Sequence, residues 1–259
     1  MEYLEWLIVA SVTFFTLERL KPARPEQRAF RPQLANDLGY LAINGHLYSM
    51  LSAGVVAWFA TGANGLLERV SLMPERGWLA ERNFWLQALL FFVISDFLQW
   101  FTHNLLHRIP FLWSFHKVHH SIHEMDWAGN FRYHWVENVV YKTLLFLPLL
   151  YLGGDPEPLL VIYVAGTFWG HFNHANLDLG IGPLAYVFNS PRMHLWHHDA
   201  SDEGGVAKNF GIVLSLWDWL FRTAYWPRDR TPERIGYPGD QEIPQSLPVQ
   251  LVFPLIKRK

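Results

Sequence analysis

Apolar residues fall in long blocks along this chain, separated by short polar stretches. Residues 40–60 carry no formal charge over about twenty positions, long enough for a helix to cross a bilayer. Residues 84–102 are similar, with Asp96 as the single charge. Residues 4–17 are shorter, and Glu5 with Glu18 and Arg19 at the edges makes them a marginal span. Residues 139–153 and 159–170 are each too short for an upright crossing. Gly153-Gly154-Asp155-Pro156 between them is a turn signal. The pair therefore predicts a helical hairpin, either re-entrant or tilted and extended into its polar flanks. The pattern predicts an all-α integral membrane protein with about four to five transmembrane or re-entrant helices. A soluble all-α protein with a large buried core is the alternative.

Composition points the same way. The 259 residues are 51% hydrophobic and only 17% charged, against roughly 25% charged in soluble domains. Thirteen tryptophans suit membrane interfaces. A net charge of −2 and the lack of a basic stripe argue against a nucleic-acid partner. The N-terminus has no basic region or cleavage site of a removable signal, so residues 4–17 read as a retained helix. Arg19, Lys21, Arg24, Arg28 and Arg31 lie between the first two spans, whereas residues 61–83 balance their few charges. Basic loops stay cytoplasmic, so residues 19–31 are expected inside and the protein to be multi-pass. The third span and the hairpin then both return to that side.

The candidate chemistry is histidine. His103 and His107 form an HNLLH box, His116, His119 and His120 an HKVHH box, and His194, His197 and His198 an HLWHH box. Spacings of three and four share a helix face, and neutral imidazole is the commonest ligand for transition metals. Eight such ligands exceed the four to six that one ion takes, so two metals are expected, in a histidine-rich cap on the cytoplasmic side. Within each HxxHH the middle ring lies on an adjacent stripe, free to face a different metal from its neighbours. His174, in HFNHAN, is a ninth ligand candidate, and His171 and His134 are further candidates. His46 reads as a packed core residue and His123 as a surface-turn residue. Asp96, Gln99 and Glu137 are candidates to orient ligand rings, Gln99 and Asp96 from one and two turns before His103 on nearly its own stripe. No cysteine is present, which excludes thiolate zinc sites, iron–sulfur clusters and disulfides. No box carries Glu or Asp between its histidines, unlike the HExxH of zinc hydrolases. A nitrogen-rich, thiolate-free set leans to non-haem iron and redox chemistry on an apolar substrate, with a zinc-dependent membrane hydrolase or a non-catalytic lipid-binding protein as alternatives.

With their flanking residues the boxes resemble the fatty acid hydroxylase and sterol desaturase superfamily of membrane di-iron enzymes. The matching elements are Ser95-Asp96-Phe97, Trp113 through Ser121, Arg132 through Glu137, His174-Ala-Asn-Leu, Pro191 through His198, Lys208-Asn-Phe-Gly211 and Trp217 through Phe221. Two positions depart from the common pattern: Asn104, often Arg, and Arg222, often Gly. The resemblance implies two iron ions, O2 as co-substrate, and hydroxylation or desaturation of an unactivated C–H bond of a membrane lipid. It also implies electrons from a separate donor, a b-type cytochrome, ferredoxin or reductase; no Rossmann or haem-binding motif is present here. A single membrane domain over residues 1–259 is expected. Membrane helices occupy 1–83, the hydroxylase-like core about 90–225, and a short polar tail, solvated or at the membrane surface, 227–259.

Overall fold

The computed structural model describes residues 3–47, 79–152, 154–201 and 208–255. Most of the expected span over 40–60, with the side chain of His46, lies outside the described residues, as does most of the loop over 61–83. Among the described residues, α-helices, 3-10 turns and one π-helical turn account for every named element, with isolated β-bridges at Pro22–Leu177, Phe188–Leu214 and Asp199–Ile235. Helix α1 covers Tyr3–Leu20. Helix α2 covers Leu34–Tyr40 and continues as a π-helical turn over Leu41–Leu47. Helix α3, Phe84–Arg108, starts at Asn83, whose side chain accepts from the Leu86 N–H, and stops before Pro110 opens α4, Pro110–His116. Helices α5, Trp135–Leu152, and α6, Pro156–His174, form the expected hairpin. Both run beyond their apolar blocks, so 18 and 19 residues are helical. Three short helices follow: α7 Pro191–His197, α8 Leu216–Leu220 and α9 Leu247–Gln250.

Helix α6 packs on α1 and α3, and α3 packs also on α5. Among the described residues, α3 alone is long and apolar enough to cross a membrane by length and composition. Its 25 residues span about 37 Å at 1.5 Å per residue. The outer faces are apolar: Ile8, Val12, Trp85, Leu89 and Val161 are all exposed. At one end of the bundle Gln87 exchanges hydrogen bonds with Asp155, tying the start of α3 to the hairpin turn. At the other end Glu18, closing α1, accepts from the Trp127 and Asn176 N–H groups. The ends of α1, α3 and α6 and the start of α5 therefore gather at one polar cap.

The cap's interior is charged. Buried Arg31 donates to Asp126 (2.6 Å to each oxygen) and Asp37 (2.5 Å), and Asp37 also takes the buried Arg132 guanidinium. Two cations meet two anions away from water. Arg31, expected to mark a cytoplasmic loop by its charge, is thus neutralised inside the cap. The expected solvated tail is also corrected: Ile235, Tyr237, Ile243 and Gln250 are buried, and Tyr237 and Ile243 share a core cluster with Leu7, Tyr40, Val118 and Phe131. Apolar residues spaced among the prolines drive this docking, which overall tail polarity conceals.

Removing one partner of a buried ion network strands the others, at a cost of about 3–5 kcal/mol. Asp37→Ala is expected to lower the thermal unfolding midpoint of detergent-solubilised protein by several degrees. An unchanged midpoint would show that the network does not hold the cap.

Candidate metal centre

Helix α3 delivers His103 and His107 from successive turns, α4 and the 3-10 turn His119–Ser121 carry the second box, α6 ends on His174, and α7 carries the third box. These nine rings fall into two groups. His103, His107, His116, His120 and His197 form one, and His119, His174, His194 and His198 the other, each offering ligand nitrogens within 4.8 Å of one another. In both HxxHH boxes the outer two rings go to one group and the middle ring to the other. All nine are buried except His107, which is partly so.

Behind the rings stands a set of acceptors. The Nδ1–H of His103 donates to the Phe210 carbonyl (2.9 Å), that of His197 to Lys208 (2.8 Å), His119 to Arg132 (3.0 Å) and His174 to Gly170 (2.8 Å). His116 Nδ1 donates to Glu137 Oε2 at 2.7 Å, while Glu137 Oε1 accepts from the His134 N–H. Such bonds fix the tautomer and turn Nε2 inward without a proton. His103 and His116 Nε2 then face each other at 3.2 Å, and His119 and His174 Nε2 at 3.3 Å. His107 and His120 approach to 3.1 Å, as do His174 and His194. Two nitrogens each about 2.1 Å from one ion lie roughly 3.0–3.4 Å apart in octahedral or tetrahedral arrangements. His197 Nε2 and both His198 nitrogens are buried without a hydrogen-bond partner, as ligand atoms would be. Burial, reinforced by neighbouring imidazoles, holds His119, His120, His194 and His198 well below the usual histidine pKa. Burial also pushes His197 down to about 3, against the pull of its bond to Lys208. These five rings are therefore neutral at physiological pH, the form that binds metal. The residues fit a pair of metal ions.

Four candidates sit elsewhere. His134 donates from Nε2 to the Leu251 carbonyl (2.8 Å) and accepts at Nδ1 from the Val136 N–H, so both nitrogens are used in docking the tail. His171 engages Ser11, Thr167 and Asn130 and stacks on Trp127. Asp96, expected to orient His103, instead accepts from the Val213 and Leu214 N–H groups and from Trp217. Gln99 makes no hydrogen bond to a histidine among the described residues. The helix stripe is right for Asp96, but a segment that begins 117 residues downstream takes its carboxylate. His123 lies at the surface against Asp240.

Sequence reasoning missed Asp218, whose buried carboxylate accepts from the Phe210 and Gly211 N–H groups, Trp100 and Thr223. It missed Asn209 too, held at φ 53° and bridging Met193 and Tyr225. Together they lock the 208–211 loop, whose carbonyls receive His197 and His103. Gly211 belongs to this lock, since a Cβ there would stand 2.5 Å from the Leu214 carbonyl oxygen and 3.0 Å from Asp218. Arg222 adopts φ 60°, a left-handed conformation that glycine takes freely, which explains glycine as the common residue there. Asn104 donates back to the Trp100 carbonyl.

A helical protein whose outer faces are apolar and whose buried cap presents two all-histidine nitrogen clusters is a membrane-type metalloprotein of the histidine-box class. The fatty acid hydroxylase profile matches residues 88–223, more than half of the chain. The chain belongs to the fatty acid hydroxylase family. It is similar to the ornithine lipid hydroxylase OlsE of Rhizobium tropici, 28% identical over 96% of this chain and 74% of that protein. It is also similar to the alkylglycerol monooxygenases of Caenorhabditis elegans (27% identical, 59% of this chain, 29% of that protein) and Homo sapiens (26%, 62% and 35%). The match thus spans about a third of the length of those monooxygenases. No solved structure matches the chain.

Replacing Glu137 with Gln keeps the shape but leaves one oxygen to serve both the His116 ring and the His134 N–H. Loss of such an orienting bond typically lowers metal affinity about 10–100-fold. Metal titration of Glu137→Gln should show that drop with the fold retained; wild-type affinity would contradict the role given to Glu137.

Proposed function

We propose that this protein is an O2-dependent, non-haem di-iron oxidoreductase that hydroxylates an unactivated C–H bond of a membrane lipid, with desaturation as the nearest variant. One observation carries the reading. His103 and His116, in one group, have both Nδ1–H bonds committed to acceptors, so two bare Nε2 lone pairs face each other at 3.2 Å. His119 and His174 repeat this in the other group at 3.3 Å. Buried lone pairs at that separation repel unless a cation lies between them, and burial disfavours a proton. The names of the relatives, lipid hydroxylase and monooxygenase, support oxidation of a lipid.

His103, His107, His116, His120 and His197 would hold one iron, and His119, His174, His194 and His198 the other. Bound there, the two ions supply the means of reducing O2 and oxidising a C–H bond. Hydroxylation consumes O2, two electrons and two protons and yields water with the alcohol. The electrons come from a separate donor, a b-type cytochrome, ferredoxin or reductase. The chain itself fixes the rings through the Phe210, Lys208, Arg132 and Gly170 carbonyls and Glu137, and its packed cap keeps bulk water from the centre. Glu137 is engaged behind His116, away from the Nε2 side, so it does not stand where the general base of a zinc hydrolase would. We read residues 1–259 as one membrane domain in which α1, residues 40–60, α3 and the α5–α6 hairpin cross the bilayer, with the cap cytoplasmic.

Purified, fully active protein is expected to contain two iron ions per chain; one ion, or zinc in active protein, would contradict the assignment. His119→Ala and His197→Ala, one from each group, should each abolish oxygen-dependent product and lower metal content. Wild-type lipid profiles in a deletion strain would instead favour a non-catalytic lipid-binding role.

Topology is testable because the chain has no cysteine. Arg28→Cys, at the cap end, should resist a membrane-impermeant thiol reagent added outside intact cells, and Glu157→Cys, at the hairpin turn, should react. The reverse pattern would invert the orientation.

A further inference from the structure

The cap contains a second polar site outside the histidine groups. A cavity of about 230 Å³ opens between the segment after α1, the segment after α6 and the first turns of α7. Arg24 and Arg192 line it from two of these elements, with Asn173 and Asp178 on the α6 side and Leu177 and Leu195 supplying apolar wall. Both arginines are partly buried, and among the described residues neither takes part in a salt bridge. Arg192 makes one hydrogen bond, to the Arg228 carbonyl. Burial lowers the Arg24 pKa, with the more distant Glu26 and Glu124 opposing that pull.

The acceptor side is equally incomplete. Asn173 is 2% exposed, and its Nδ2 donates to the Ile212 carbonyl at 2.6 Å, which fixes the amide orientation. Its Oδ1 is left buried with no donor. A buried acceptor without a partner costs about 1–3 kcal/mol, and native structures rarely leave one so. Two unpaired guanidinium groups call for an anionic oxygen group. A bare amide oxygen, with the Asp178 carboxylate at the rim, calls for an N–H donor. A ligand that satisfies both is zwitterionic.

The cavity is lined by residues next in sequence to two of the candidate ligands. Asn173 directly precedes His174 and Leu195 directly follows His194, whose Nε2 atoms are 3.1 Å apart. It also lies at the cap end of α1, where the apolar outer faces give way to polar backbone. We propose that this cavity is a headgroup site for a zwitterionic polar lipid, taking a phosphate or carboxylate between Arg24 and Arg192 and an ammonium at Asn173 Oδ1. The inference rests on the lipid-oxidising reading for its link to catalysis, since a headgroup held here sets which part of the lipid lies beside His174 and His194.

The test measures binding without turnover, so its failure leaves the iron stoichiometry and the oxidation product to be judged separately. Dihexanoyl phosphatidylethanolamine, dihexanoyl phosphatidylcholine and dihexanoylglycerol are titrated calorimetrically into detergent-solubilised protein, wild type and Arg24→Gln/Arg192→Gln. The ethanolamine lipid should bind at one site per chain. The choline lipid, which has no N–H, should bind several-fold more weakly, and the uncharged glycerol lipid weakest. The double variant should lose at least tenfold in affinity for the ethanolamine lipid. If that variant does not fold, Arg192→Gln alone, which gives up one hydrogen bond to a carbonyl, should still show a several-fold loss. Equal binding of all three lipids, or wild-type affinity in the variants, would overturn the site. Free phosphoethanolamine binding as tightly as the lipid would overturn the lipid assignment in favour of a soluble zwitterion.

Discussion

Bare imidazole nitrogens held face to face in a buried cap are the constraint on which this structure turns. Five of the nine rings take their orientation and tautomer from an acceptor behind them, and each acceptor must itself be held still. The chain meets this mostly with backbone. Phe210 and Lys208 offer carbonyls from one loop, Arg132 from the turn before α5, and Gly170 from α6. Buried carboxylates then fix those backbones: Asp218 holds Phe210 and Gly211, Asp96 holds Val213 and Leu214, and Asp37 holds Arg132 through its guanidinium. Asp37, Asp96 and Asp218 therefore act one step removed from the rings, whereas Glu137 meets the His116 ring directly.

The same constraint accounts for the distribution of polarity. A soluble protein places charge outside and apolar residues inside. Here Arg31, Asp37, Asp126 and Arg132 pair in the interior of the cap, while Ile8, Val12, Trp85 and Leu89 face outward along the helices. Paired charge in the interior tolerates loss of water only because every cation meets an anion. The outward apolar faces suit a solvent of hydrocarbon.

Much of the centre was legible because helix periodicity is local. Spacings of three and four place His103 with His107, and separate the middle ring of each HxxHH from its neighbours, and the structure groups them in that way. What was not legible depends on contacts between residues far apart in sequence. Asp96 shares a stripe with His103, yet the 213–217 segment reaches its carboxylate first. His134, a ligand candidate, is captured by Leu251 from the C-terminal segment, whose scattered Ile235, Tyr237 and Ile243 bury themselves despite their polar surroundings. Asp218 and Asn209 carry no periodic signal at all; only the left-handed backbone at Asn209 and the carboxylate's four donors reveal their part.

Anomalous diffraction from crystals of iron-loaded protein, measured across the iron edge, tests the central claim most directly. The account predicts two peaks per chain. One should lie among the Nε2 atoms of His103, His107, His116, His120 and His197, and the other among the facing nitrogens of His119, His174, His194 and His198. A single peak, or a peak bounded by other residues, would contradict it.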